Sequence, residues 1–173
     1  KVAAGLTGPL ALKGSGIAHK SEQGAVRLNL RAEEVADAAA AMPASEFLVE
    51  EMITGGVAEL LVGVTRDPAH GFVLTLGAGG VMTELMKDTV SLLVPSGRDR
   101  VEAALNRLRC APLLTGFRGR PAAEMGAILD VIDSIQAYVG ANADQLSEVE
   151  INPLICTPER AVAADALIRR AKR

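Results

Sequence analysis

The sequence predicts an α+β fold with largely antiparallel sheets, and two observations lead to that prediction. Stretches with strand periodicity follow one another in the order strand, loop, strand, helix, strand, several further strands, two helices and a final hairpin. A doubly wound parallel sheet would instead require strict alternation of strands and helices. The chain has 173 residues, 49% of them hydrophobic, and is long enough for one well-buried core built as two lobes.

Periodicity and turn residues define the predicted elements in order along the chain. The first helix has acidic residues in its first turn and ends at Pro43, and the last two have apolar residues at helical spacing, which indicates core packing. The glycine-rich turn at 54–56 marks the expected boundary between a smaller lobe, 1–53, and a larger one, 54–173. The predicted strands cover 9–13, 25–30, 46–52, 57–65, 72–76 and 88–95, and the predicted helices cover 32–42, 98–108 and 122–140.

Charge and composition argue against several classes of function. Net charge is −3, with 18 basic and 21 acidic residues interspersed, so the chain lacks the basic character of a nucleic-acid binder. Aromatic residues are too few for base-stacking platforms. Two cysteines make neither a disulfide framework nor a zinc site, and neither a signal peptide nor an apolar run of about 20 residues is evident. We therefore expect a cytoplasmic protein with no nucleic-acid and no membrane partner.

The C-terminal stretch SEVEINPLIC (147–156) alternates polar and apolar residues like a strand. Glu148, Glu150 and Asn152 would share one face, because side chains in a strand alternate between faces. A hairpin with the following RAVAADAL would place Asn152 opposite Asp165, with Cβ atoms about 4.5–5.5 Å apart. An amide oxygen and a carboxylate at that distance suit Mg²⁺. A solvated polar strand face accounts for the same pattern, so spacing alone leaves both interpretations open.

Two glycine-rich loops are candidate anion sites. Lys13 leaves a strand directly into GSGIAHKSEQG (14–24), and GAGG occupies 77–80. Glycines let backbone N–H groups approach an anion, and a lysine supplies a point charge for phosphate. His19, one of two histidines, lies in the first loop and is a candidate nucleophile for a phosphoryl group. A flexible surface loop is the alternative for each stretch taken alone.

Five stretches occur together in the order and at the intervals of one family: KGSGIAHKSEQGAVRL, LVEEMITGGVAELLVGVTRDPAHG, LGAGGVMTELMKD, GFRG, and EVEINPL followed by AADALI. They resemble the ATP-grasp domain of the NDP-forming acyl-CoA synthetases, which include the β-subunit of ADP-forming acetyl-CoA synthetase and, more distantly, succinyl-CoA synthetase β. The resemblance spans essentially the whole chain. It implies an ATP-grasp fold of two α+β lobes that hold a nucleotide between them. It also implies a truncated N-terminal lobe, since the family domain has a further strand and helix upstream.

The resemblance implies nucleotide contacts in the first lobe. Lys13 matches the lysine that reaches the nucleotide phosphates. The strand ending at 49–52 matches the hinge whose backbone reads adenine. Glu50 and Glu51 lie beside that hinge, and Met52 ends it.

The resemblance also implies the metal ligands and a phosphoryl acceptor. Asn152 and Asp165 match the Mg²⁺ ligands, which are the pair that the hairpin register brings together. Glu150 is then an auxiliary candidate. His19 matches the histidine implicated in receiving the phosphoryl group near the nucleotide.

Further matched residues belong to the surroundings of the nucleotide cleft. Glu59 matches an acidic residue that faces the cleft. Gly77, Gly79 and Gly80 match a glycine loop that lies over it. Arg118, in GFRG, is a candidate phosphate contact.

The implied reaction is reversible transfer of a phosphoryl group between a phosphohistidine and ADP, with Mg²⁺. It would be one half of the interconversion of acyl-CoA, ADP and phosphate with free acid, ATP and CoA. The CoA-binding and CoA-ligase domains are expected elsewhere in the same chain or in a partner subunit. Two alternatives stand beside this one. One is a ligand-sensing regulatory domain, as in bacterial protein lysine acetyltransferases, and the other is an α+β interaction module without a ligand.

Overall fold

The chain folds into two compact units in the computed structural model, which describes residues 5–16, 23–80, 83 and 87–171. The first unit ends at Thr54 and the second begins at Gly55. This division falls one residue from the boundary expected at the glycine-rich turn. Each unit contains its own antiparallel sheet.

The first unit is built on a three-stranded sheet in the order β2-β1-β3. Its central strand carries Leu10 and Leu12, which are both fully buried. The sheet therefore has an apolar side, and Lys13 follows Leu12 onto the other side. The strands are β1 (Leu10–Gly14), β2 (Val26–Leu30) and β3 (Phe47–Glu51).

The helix predicted over 32–42 is shorter than expected. It begins as a 3-10 turn, Ala32–Glu34, and continues as α1, Val35–Ala40. The Glu34 carboxylate accepts hydrogen bonds from the Arg31 backbone N–H and guanidinium, both at 2.8 Å, which fixes the tight first turn. No residue of α1 is buried. Most helical stability in proteins comes from packing an apolar face against the core. This segment lacks such packing, so the helix propensity of its residues supports only a short helix.

The second unit is a six-stranded antiparallel sheet in the order β6-β5-β4-β7-β8, with β9 also paired to β7. The long strand β7 therefore binds β4 along one edge and β8 and β9 in succession along the other. The strands are β4 (Ala58–Asp67), β5 (Gly71–Ala78), β6 (Thr89–Leu93), β7 (Leu146–Cys156), β8 (Ala161–Ala163) and β9 (Ala166–Arg170).

Helices of the second unit share one core with the sheet. Ile128, Ile132 and Ile135 are buried against sheet residues such as Leu60 and Leu154, which confirms the predicted core stripe. None of the described helices has both the length and the apolar character needed to cross a bilayer. The helices are α2 (Arg98–Leu105), α3 (Ala111–Thr115) and α4 (Met125–Ala141).

Two helix boundaries differ from the sequence prediction, and α3 was not predicted. Helix α4 begins at Met125, not at residue 122, because Glu124 acts as the N-cap and its carboxylate accepts the Gly126 N–H at 3.0 Å. Helix α2 ends at Leu105, before the predicted end at residue 108. Helix α3 has only five residues and includes Pro112 in its first turn, so it is too short for a periodic signal.

The two cysteines are free thiols buried in the second unit. Burial raises the pKa of the Cys110 thiol to about 11 and that of the Cys156 thiol to about 12. Both thiols are therefore protonated at neutral pH, which makes them poor nucleophiles.

Replacing Gln136 with leucine is expected to lower the free energy of unfolding by about 2–3 kcal/mol. Gln136 Oε1 accepts the buried Ser96 N–H at 2.7 Å, and Gln136 Nε2 donates to the Ser96 carbonyl at 3.1 Å. The leucine would leave both backbone groups without a partner. Urea unfolding measures the change, with Ser134→Ala on the exposed side of α4 as the control. A loss below about 0.5 kcal/mol would show that these two bonds contribute little to stability.

Candidate functional site

The hairpin of β7 with β9 places Asn152 beside Asp165, as the predicted register requires. The Asn152 backbone N–H donates to the Asp165 carbonyl at 3.3 Å. The adjoining residues continue the ladder, with Ile151 opposite Ala166. Asn152 therefore lies on β7, and Asp165 lies beside it in the short break between β8 and β9, directly before β9 begins.

The polar residues of β7 share the face of the sheet that is turned away from the core. Apolar residues of the strand, among them Val149, are buried in that core. Because side chains alternate along a strand, Glu148, Glu150 and Asn152 point to the opposite face. Glu148 is engaged there by the Arg169 guanidinium at 3.2 Å. Glu150 is thus the carboxylate of β7 nearest to Asn152 on this face.

Gly80, two residues beyond the end of β5, joins two of the predicted site residues. Its N–H donates to Asn152 Oδ1 at 2.9 Å. A Cβ placed on Gly80 would overlap Glu59 Oε2, so the Glu59 carboxylate lies directly against the Gly80 α-carbon. Glu59 is exposed, and the next residue, Leu60, is buried in the core, so Glu59 also points to the face opposite the helices. Glu59, Gly80, Asn152 and Asp165 therefore form one group on this sheet.

The neighbouring glycines allow close packing of backbone against backbone. A Cβ on Gly77 would lie 2.7 Å from the Asp88 carbonyl oxygen, and one on Gly79 would overlap the Leu60 backbone. The Gly79 N–H also donates to the Glu59 carbonyl at 2.8 Å. Gly77 and Gly79 therefore set the path of the chain. That path brings Gly80 into contact with the side chains of Asn152 and Glu59.

The oxygen donors of this group fit a hard cation. Asn152 supplies an amide oxygen, Asp165 a carboxylate, and Glu150 a second carboxylate two residues away on the same face of β7. Asp165 Oδ1 accepts the Ala166 N–H at 3.1 Å, which orients that carboxylate. The described residues contain no cluster of three or more His, Cys, Asp or Glu side chains placed to hold a metal. An amide with one or two carboxylates matches Mg²⁺, which keeps several waters and takes other ligands from phosphates.

In the first unit, Lys13 is held by Glu50. Lys13 lies opposite Leu48 and Glu50 lies opposite Ala11, so the two side chains are diagonal neighbours on β1 and β3. Lys13 Nζ is 2.5 Å from Glu50 Oε2, with the lysine side chain only 13% exposed. Glu50 Oε2 is buried and has no hydrogen-bond partner among the residues that the structure describes, so the ion pair with Lys13 compensates its desolvation.

The backbone of β3 has one edge directed away from β1. The Met52 N–H donates to the Pro9 carbonyl at 2.9 Å. Because hydrogen bonds in an antiparallel pair alternate, the N–H and C=O groups of Val49 and Glu51 point away from β1. The Glu51 carboxylate accepts hydrogen bonds from the Thr7 N–H at 2.6 Å and the Thr7 hydroxyl at 2.8 Å. No sequence pattern indicates this contact, because 44 residues separate its two partners.

The structure does not join Arg118 to the group around Gly80. Arg118 is exposed in the loop between α3 and α4, where its guanidinium lies 5.2 Å from the centroid of the Phe117 ring. Arg118 has a positive φ of 49°, and two nearby glycines of the same loop, Gly116 and Gly119, have φ values of 96° and 82°. Positive φ values favour glycine, so the backbone of this loop is unusual at Arg118. His19 lies outside the described residues.

Comparisons with known proteins agree on one family. A family model described as an ATP-grasp domain matches residues 1–169. A trans-feruloyl-CoA synthase from an unknown prokaryotic organism is 35% identical over 177 residues, covering 92% of this chain and 25% of that protein. The β subunit of ADP-forming acetate–CoA ligase II from Pyrococcus furiosus is 30% identical over 166 residues, covering 88% of this chain and 70% of that subunit. The chain thus spans a quarter of the first relative and most of the second.

A solved structure shares the fold along nearly the whole chain. It is the dinucleotide-forming acetyl-coenzyme A synthetase 1 of Ca. Korarchaeum cryptofilum in complex with coenzyme A and Mg-AMPPCP, with its phosphohistidine segment pointing towards the nucleotide-binding site. The TM-score is 0.83 at 32% sequence identity, and the match covers 98% of this chain and 80% of that one.

Proposed function

Because this chain belongs to the ATP-grasp family, we propose that it is the nucleotide-binding domain of an NDP-forming acyl-CoA synthetase. The observation that carries the proposal is the pairing of Asn152 with Asp165 beside Gly80 and Glu59. This group offers amide and carboxylate oxygens, which are the ligand types that Mg²⁺ takes from proteins when it also binds phosphates. One relative is an ADP-forming acetate–CoA ligase subunit, and the similar solved structure contains Mg-AMPPCP. We therefore assign ADP and ATP with Mg²⁺ as the ligands.

Each candidate residue has a proposed role in binding. Asn152 Oδ1 and the Asp165 carboxylate would hold the cation, with Glu150 as an auxiliary acceptor for its bound waters. Lys13 would contact the nucleotide phosphates as a point charge, a use for which an ammonium is well suited. In β3, the edge groups of Val49 and Glu51 would read adenine through the backbone.

The chemistry follows from charge placement. A phosphoryl group passes between a histidine nitrogen and a β-phosphate oxygen of ADP: the P–N bond breaks as the new P–O bond forms. Mg²⁺, when bound, would neutralise charge on the phosphate oxygens. Lys13 would add a second positive charge fixed by Glu50, and preorganised charges of this kind lower the barrier without reorganisation during the step. His19 is the proposed histidine on this chain.

In the whole protein, this step would belong to the reversible reaction acyl-CoA + ADP + phosphate ⇌ acid + ATP + CoA. CoA-binding and CoA-ligase domains, in the same chain or in a partner subunit, would supply the other half. The coverage of the two relatives is consistent with such a modular arrangement. We propose a cytoplasmic setting, where ATP and CoA are available.

Incubation of the chain with γ-labelled ATP and Mg²⁺ tests the proposed reaction. We expect an acid-labile, base-stable label on the protein, because phosphohistidine has that stability. Addition of ADP should return the label to ATP. The His19→Asn variant should remain unlabelled, while His70→Asn, in the exposed turn between β4 and β5, should label normally. Equal labelling of the His19 variant would exclude His19 as the acceptor, and an unlabelled wild-type chain would contradict the reaction.

A further inference from the structure

We propose that Gly80 is a positioning residue that fixes the Asn152 carboxamide and the Glu59 carboxylate around the cation and nucleotide. This inference rests on the function proposed above. Gly80 does not need to touch the ligand to act in this way. It acts through three contacts, each of which uses a different part of the residue.

The first contact sets the orientation of the Asn152 side chain. The Gly80 N–H donates to Asn152 Oδ1 at 2.9 Å across a separation of 72 residues. A carboxamide can turn over and exchange its oxygen and nitrogen, and only the oxygen accepts a hydrogen bond. The bond therefore selects the orientation with Oδ1 near Gly80 and leaves the second lone pair of Oδ1 for a cation. Hydrogen bonds to a metal ligand commonly orient it in this manner.

The second contact depends on the missing side chain of Gly80. The Glu59 carboxylate occupies the space where a Cβ would lie, so any other residue would displace it. Gly80 also has a φ of 65°, in the left-handed region that favours glycine. The backbone conformation therefore favours glycine, and a Cβ would additionally push the end of the exposed Glu59 side chain out of its position.

The third contact fixes Gly80 itself. Its carbonyl accepts the Thr83 hydroxyl at 2.8 Å. The two peptide groups that flank the Gly80 α-carbon are therefore both hydrogen-bonded, one through its N–H and the other through its carbonyl, which restricts their rotation. A rigid Gly80 links the start of β4, the end of β5 and the middle of β7. The positions of the Glu59 and Asn152 side chains therefore both depend on the backbone of Gly80.

Two alanine variants separate this role from general strain. Gly80→Ala adds a Cβ that overlaps Glu59, at a positive φ. Gly71→Ala is the matched control, because Gly71 at the start of β5 also has a positive φ, 80°, and a Cβ added there would meet no neighbour within 4 Å. Calorimetric titration with ADP, with and without MgCl₂, gives the readout. We expect Gly80→Ala to weaken Mg²⁺-dependent affinity about 10- to 100-fold and to leave Mg²⁺-free affinity within about twofold, with Gly71→Ala unchanged in both.

Three other outcomes are informative. Wild-type affinity in Gly80→Ala would overturn the positioning role, and so would an equal loss with and without Mg²⁺, because a structural defect would weaken both. A wild-type chain that binds ADP without any effect of Mg²⁺ would contradict the proposed function itself, whatever the variants do.

A second measurement covers the case in which Gly80→Ala fails to fold. Hydrogen exchange of the Gly80 amide should be slow in the wild-type chain and in Asn152→Asp, whose carboxylate still accepts the bond. It should be at least about tenfold faster in Asn152→Ala. Equal exchange rates in the wild type and Asn152→Ala would overturn the inference, because the bond would then not constrain the amide.

Discussion

Asp165→Ala is expected to abolish the effect of Mg²⁺ on nucleotide binding and to leave the fold intact. Removal of the carboxylate takes away one of two proposed ligands, and we expect ADP affinity in the presence of Mg²⁺ to fall at least about tenfold, to the value measured without Mg²⁺. The pairing with Asn152 survives, since it uses the Asp165 backbone carbonyl and not the side chain. Calorimetric titration measures the affinity, and thermal unfolding reports on the fold.

The control for Asp165→Ala removes a carboxylate elsewhere in the second unit. Asp144→Ala changes the net charge equally, in an exposed turn before β7. It should bind ADP and Mg²⁺ like the wild type. Unchanged affinity in Asp165→Ala would exclude Asp165 as a ligand. An equal loss of ADP affinity in Asp144→Ala would show that the effect comes from the change in net charge and not from a lost metal ligand.

Lys13→Met is expected to reduce both stability and nucleotide affinity. Loss of the ammonium removes the ion-pair partner of the buried Glu50 Oε2. We expect the free energy of unfolding to fall by about 1–2 kcal/mol, a modest loss because the Glu50 side chain is 37% exposed and solvent screens the interaction. A lost charge-assisted contact to phosphate should weaken ADP binding about 10- to 100-fold. Urea unfolding and calorimetric titration measure the two effects separately.

The double variant Lys13→Met with Glu50→Leu distinguishes the two roles of Lys13. Replacement of both partners by apolar residues removes the unpaired carboxylate, so stability should return to near the wild-type value. Affinity for ADP should remain low, because the phosphate contact is still missing. Recovery of affinity together with stability would show that Lys13 acts only through the fold.

The strands and the pairing of Asn152 with Asp165 could be predicted from the sequence because both depend on local rules. Alternation of polar and apolar residues placed Asn152 on the face away from the core, and the turn length set it beside Asp165. The ATP-grasp fold itself was predicted by resemblance across five stretches, and the family match over residues 1–169 confirms it.

Contacts between distant segments could not be predicted in the same way. The bond from Gly80 to Asn152 and the hydrogen bonds from Thr7 to Glu51 depend on how separate segments approach one another, which periodicity does not encode. The ion pair between Lys13 and Glu50 could be predicted only if the register of β1 with β3 were known. The short helix α3 could not be predicted either, because five residues are too few to show helical periodicity.

Calorimetric titration of ADP into the wild-type chain, with and without MgCl₂, tests the central claim most directly. We predict measurable binding that strengthens at least about tenfold when Mg²⁺ is present, because Asn152 and Asp165 would hold the cation and the cation would offset the negative charge of the phosphates. Binding that is absent in both conditions, or that is indifferent to Mg²⁺, would contradict a magnesium–nucleotide site on this chain.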